Sequence, residues 1–118
     1  MSDITDTRIA FVGGGAMAEA FIGGLLVKGL AAPQRIIASD PLPERRRHLA
    51  GSLGIATTAS NREAVRGADV VVLAVKPQVA GRVLEDLAGG ELAPEALLMT
   101  FVAGVRIATL RAALGERP

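Results

Sequence analysis

Apolar residues along the chain follow two alternating patterns. Short unbroken runs occupy residues 9–12, 36–38, 70–75 and 97–102, the last interrupted only by Thr100. Runs of this kind mark strands buried on both faces, as in a parallel sheet covered by helices. Residues 55–58 predict a fifth, weaker strand at an edge. Between the runs the apolar period becomes helical. Ala18, Phe21, Ile22, Leu25 and Leu26 recur at i, i+3, i+4, i+7 and i+8, so one stripe of a first helix faces the sheet.

Pro43 suits the first turn of a second helix, where its missing N–H costs nothing. That helix turns Leu49 and Leu53 inward and Glu44, Arg45, Arg46 and Arg47 largely outward, with at least two of the three arginines solvated. Ser60 and Glu63 have the spacing of a capping box, and Gly67 is placed to end the short helix they open. Val79, Val83, Leu84 and Leu87 form another stripe; Ile107, Leu110 and Leu114 form a last one, closed by Gly115. Strands and helices thus alternate throughout. This predicts a right-handed, doubly wound α/β fold with a mostly parallel sheet in the order 3-2-1-4-5.

Composition narrows the class. Half of the 118 residues are hydrophobic, and 13 Lys+Arg against 12 Asp+Glu leave a net charge of +1. A chain this apolar is not disordered. It also lacks the cationic excess of a nucleic-acid binder. With no cysteine, disulfides and thiolate metal sites are excluded. The first six residues are polar and acidic, unlike a secretory leader, and residues 1–7 read as a flexible tail. The longest apolar run falls far below the ~20 residues of a membrane span. The expectation is a single dinucleotide-binding domain over residues 1–118, cytoplasmic, with no membrane partner.

The most informative stretch follows the first strand. Gly13, Gly15 and Ala18 fill the small positions of a G-x-G-x-x-A turn that opens an amphipathic helix. Gly13 permits the tight turn, Gly15 lets the backbone approach a pyrophosphate, and Ala18 allows close helix–strand contact. The free N–H groups and dipole of the helix start then favour phosphate. No Gly-Lys-Ser/Thr follows, which excludes a phosphate-hydrolysing loop.

At the end of the second strand Asp40 points to NAD, because an acid there accepts from a ribose 2′-OH. Ser39 and the nearby arginines point instead to the 2′-phosphate of NADP, so both cofactors stay open. Lys76-Pro77 follows the Val70 run at the crevice where such sheets bind ligands; it reads equally as a strand end followed by a helix start. Gly104 would admit a ligand at the same edge. His48, the one histidine, reads as a surface residue, and Arg106, Arg111 and Arg117 as solvated. Neither a Ser/His/Asp set nor a metal-ligand cluster is apparent.

Three segments carry a family resemblance: GGGAMAEAFIGGL from Gly13, SNREAVRGADVVVLAVKPQ from Ser60, and AGVRIATLRAALG from Ala103. Together they resemble the N-terminal domain of pyrroline-5-carboxylate reductase, which reduces 1-pyrroline-5-carboxylate to L-proline with NADPH or NADH. The AVKP element within the second is far more specific than the glycine motif. The resemblance implies that Gly13, Gly14, Gly15, Ala16, Met17 and Ala18 surround the pyrophosphate, with Asp40 beside the adenosine ribose. It adds Asn61 as a cofactor contact. Ala74, Val75, Lys76 and Pro77, with Phe101, Val102 and Ala103, would line the nicotinamide side.

Two local departures stand out. Ala16 replaces a residue that is polar in many members, and Phe101-Val102 replaces smaller ones. The resemblance further implies a strand and a helical domain beyond Pro118, forming the dimer and much of the imino-acid pocket. An unpaired edge on the fifth strand would then invite association with another copy. Two other readings remain: a stand-alone dinucleotide-binding module, and a β-hydroxyacid-dehydrogenase-like reductase, which the AVKP element disfavours. No residue is assigned as the proton donor.

Overall fold

The computed structural model describes residues 7–88 and 92–100. Five strands form one parallel sheet: β1 (Ile9–Val12), β2 (Ile36–Ser39), β3 (Ala56–Thr58), β4 (Val70–Leu73) and β5 (Leu97–Thr100). Their order is β3-β2-β1-β4-β5, as the alternation predicts. β1 lies at the centre, with Ile9 opposite Ile36 on one side and Val70 on the other. The chain passes from β1 to β2 on one side and crosses back to β4 on the other, so the connections leaving these strand ends run in opposite directions and a crevice opens between them.

Among the described residues, four α-helices cover the sheet: α1 (Ala16–Val27), α2 (Pro43–Leu53), α3 (Asn61–Val65) and α4 (Pro77–Leu87). Side chains alternate along β1 and divide between two cores. Phe11 joins Ala18, Ile22 and Leu49 on the α1–α2 face; Ala10 and Val12 join Val65, Val83, Leu84 and Leu87 on the α3–α4 face. Pro43 is the first residue of α2, and Gly54 (φ 71°) ends it in the left-handed conformation glycine adopts without strain. Ser60 accepts from the Glu63 N–H and caps α3, but the reciprocal half of the predicted capping box is absent, because the Ser60 N–H donates to Thr58 Oγ1 (3.1 Å) instead of to Glu63.

Some boundaries differ from the apolar pattern. β4 stops at Leu73, and Ala74 and Val75, which extend the apolar run, lie beyond it and pack partly buried against the two cores. In α1, Ala18 and Ile22 are buried, whereas Phe21 is 36% exposed, with its ring 5.8 Å from that of Phe11. β5 is an edge strand among the described residues, and Leu97 and Met99 are exposed, contrary to burial on both faces. The predicted last helix lies outside the described residues. Among those described, no helix is long and apolar enough to cross a membrane.

Candidate functional site

The C-terminal ends of the strands are tied together by backbone. The Ala74 N–H donates to the Val12 carbonyl (2.8 Å), Gly13 N–H to Ser39 (2.9 Å) and Asp40 N–H to Thr58 (3.0 Å). These bonds continue the ladder just past the strands and fix four loops side by side. Within the first loop each glycine meets a different demand. Gly13 has φ 106°, and a Cβ on it would lie 2.5 Å from the Ala74 carbonyl oxygen. A Cβ on Gly14 would lie 2.7 Å from Leu49 Cδ1, a role for this position that the motif does not contain. Gly15 has nothing within 4 Å of such a Cβ and faces open space.

Helix α1 begins there. The first i→i−4 bond runs from Glu19 N–H to the Gly15 carbonyl, so the N–H groups of Ala16, Met17 and Ala18 precede the intrahelical ladder. Ala16 and Met17 are exposed at the rim, while Ala18 is fully buried and brings α1 close to the sheet. Space at Gly15, free donors and the positive helix end together fit a pyrophosphate.

The turn is held from the α2 side. Asp40 Oδ2 accepts from the Gly14 N–H (3.1 Å) and Oδ1 from the Leu42 N–H (2.9 Å). Arg45 Nε donates to the Gly14 carbonyl, and its Nη2 reaches Glu19 (2.5 Å). Arg46 donates to the Asp40 carbonyl (2.7 Å). The expectation that two of the three arginines are solvated is therefore corrected. Only Arg47 is exposed; Arg45 and Arg46 fold back because backbone carbonyls at the strand ends need donors. His48 is half-exposed, as expected of a surface residue, yet its Nε2 lies 3.1 Å from Glu19.

Hydrogen bonds from His48 and then Arg45 hold the Glu19 carboxyl below its ordinary 4.5. As pH falls, the unfolded chain protonates at Glu19 first, and the folded chain only at lower pH. Stability from this group is thus full above about pH 4.5 and lost as pH drops through the depressed folded value. Glu19→Gln is expected to melt below the parent at pH 6, with the gap closing toward pH 3. A gap independent of pH in thermal melts would contradict this role.

On the opposite face of the sheet a cleft of about 200 Å³ brings together Gly13, Ser39, Asn61 and Val75 from the predicted set. Ser39 Oγ donates to Asn61 Oδ1 (2.7 Å), and Asn61 Nδ2 donates to Asp86 (3.2 Å). One face of α4, through Val79, Arg82, Val83 and Asp86, forms the other wall. Arg82 and Asp86 were not singled out from sequence, although their i, i+3, i+4, i+7 spacing with Val79 and Val83 is the signal that finds them. Asp40 is not among the residues lining this cleft. Ala74 is half-buried, and Lys76 and Pro77 are exposed where α4 begins. Phe101, Val102, Ala103 and Gly104 lie outside the described residues. Among those described, no group of His, Asp or Glu could hold a metal ion.

Residues 8–104 match the protein family described as NADP oxidoreductase, coenzyme F420-dependent. The chain belongs to that family. This NADP oxidoreductase family chain is 50% identical over 109 residues to the pyrroline-5-carboxylate reductase of Pseudomonas aeruginosa, covering 92% of this chain and 39% of that protein. The solved pyrroline-5-carboxylate reductase of Coxiella burnetii superposes with a TM-score of 0.87 at 33% identity, over 93% of this chain and 40% of that one. The 3-hydroxyisobutyrate dehydrogenase of Mycobacterium tuberculosis superposes with a TM-score of 0.72 at 27% identity, over 91% of this chain and 35% of that one. The NADP oxidoreductase family chain spans about two-fifths of the length of the curated relatives it matches, and the match is to their N-terminal domain.

Proposed function

We propose that this chain holds NADP(H) or NAD(H) as the cofactor-binding part of a cytoplasmic reductase that converts 1-pyrroline-5-carboxylate to L-proline. The observation that carries the reading is the glycine turn, with space over Gly15 and free N–H donors at the start of α1. Those N–H groups hold the pyrophosphate by charge-assisted hydrogen bonds. Ser39 and Asn61 meet the adenosine end, while Ala74, Val75, Lys76 and Pro77 meet the nicotinamide end. When bound, the nicotinamide supplies the hydride, and this chain's part is to orient it and exclude water from one face. The greater identity to the reductases supports an imine over a β-hydroxyacid as the small-molecule substrate. The exposed apolar side chains of Leu97 and Met99 on β5 support association with a further part of the protein or a second copy.

A chimera tests the reading. Residues 8–104 replace the matching segment of the Pseudomonas aeruginosa reductase, and oxidation of NADPH and NADH by 1-pyrroline-5-carboxylate is followed by nicotinamide absorbance. Turnover with at least one cofactor is expected. A folded chimera that binds cofactor yet leaves the imine unreduced would overturn the substrate assignment. A folded chimera that binds neither cofactor would overturn the dinucleotide reading itself.

A further inference from the structure

We propose that a cavity at the N-terminal ends of β1 and β2 binds a short-chain dicarboxylate through Arg8 and Arg35. The cavity has a volume of about 220 Å³ and lies at the other end of the sheet from the glycine turn, so the proposal does not depend on the dinucleotide reading. Helix α3 borders it. The five residues of α3 make about 7.5 Å of helix, whereas the four residues of β2 span roughly 13 Å. On that face Ile37 of β2 is only partly buried and Ala56, at the start of β3, is exposed. Both line the cavity beside Ala64 of α3.

The pairing register brings two cations together. Ile9 lies opposite Ile36, and both belong to the core on the α1–α2 face. Side chains alternate, so Arg8 and Arg35, one step earlier on chains ~4.8 Å apart, turn to the α3 face, and both line the cavity. Like charges directly opposite one another on adjacent strands are destabilising. No described residue relieves the pair, because neither guanidinium forms a hydrogen bond or ion pair with one. Asp69 Oδ2 accepts from the Arg8 backbone N–H (2.9 Å), not from its side chain. Arg35 closes the 3₁₀ turn Pro33–Arg35 and is half-buried, which limits screening by salt. A third arginine, Arg66, lines the cavity from the α3 side, against one acid, Glu63. Two adjacent guanidinium forks match one carboxylate. Arg66 faces a second, and Ile37, Ala56 and Ala64 suit the carbon chain between them.

Calorimetric titration of the chain with succinate, acetate and inorganic phosphate at low ionic strength tests this, with Arg8→Gln and Arg35→Gln beside Arg47→Gln as a surface control. Succinate is expected to bind saturably at one site, and acetate about tenfold more weakly for want of its second charged contact. Each cavity variant is expected to weaken succinate about tenfold, the loss of one charge-assisted contact, and Arg47→Gln to leave it unchanged. Melts without added anion are expected to place both cavity variants at or above the parent, since each removes a like charge, so that lost binding is not lost fold. No saturable binding of succinate, an affinity unchanged in both cavity variants, or equal weakening by Arg47→Gln would overturn the site. Acetate or phosphate binding as tightly as succinate would overturn the dicarboxylate assignment. Cavity variants that melt below the parent would overturn the unrelieved pair on which the site rests.

Discussion

Gly13→Ala is expected to destabilise the fold by about 3 kcal/mol or more. A non-glycine residue in a sparsely populated backbone region costs roughly 1–3 kcal/mol, and at φ 106° an alanine is strained wherever its methyl points. Crowding adds a similar amount, because the new Cβ would approach the Ala74 carbonyl oxygen to 2.5 Å. That carbonyl belongs to backbone and cannot swing aside like a side-chain tip. Moving it would disturb the bond from the Ala74 N–H to Val12, and with it the junction of β1 and β4. For a chain of this size the loss corresponds to a fall in melting temperature of about 10 °C or more. A melting temperature equal to the parent's would sink this account of the turn.

Gly15→Ala is expected to give the opposite pattern: a nearly unchanged fold and a large loss of dinucleotide affinity. Its backbone, at φ −76° and ψ −170°, suits any residue, and the added methyl meets nothing in the protein. Alanine is a poorer N-cap than glycine, so a stability loss of up to about 1 kcal/mol is anticipated. The methyl would stand where a pyrophosphate must approach, pushing its oxygens away from the α1 N–H donors. Losing one or two charge-assisted hydrogen bonds predicts weakening of about a hundredfold for NADPH and NADH alike. Paired melts and titrations separate the two substitutions. Tight binding by Gly15→Ala would remove the main support for the phosphate site.

The central sheet was legible in sequence because β1, β2 and β4 are covered on both faces, and such burial demands unbroken apolar runs. Their ends were less so, since Ala74 and Val75 are apolar in the same way as the strand they follow. What sequence could not convey was the reach of long or polar side chains across elements. Arg45 lies on a polar helix face, and its periodicity gives no hint that the guanidinium ends on the Gly14 carbonyl. Asp40 occupies the position of a ribose acid, and the pattern gives no hint that its two oxygens also accept from the Gly14 and Leu42 N–H groups. Arg82 was hidden by its neighbours: a cation between Val79 and Val83 reads as the polar side of a core helix until α3 and β2 are seen to leave a cleft beside it.

The Gly14 peptide groups are gripped from both directions, the N–H by Asp40 and the carbonyl by Arg45. The conformational freedom of this turn is thus surrendered when the chain folds rather than when a ligand arrives. A dinucleotide meeting such a turn loses its own translational and torsional freedom but does not also have to order the protein. The two side chains, neither of which needs to touch the ligand, thereby act on affinity through entropy.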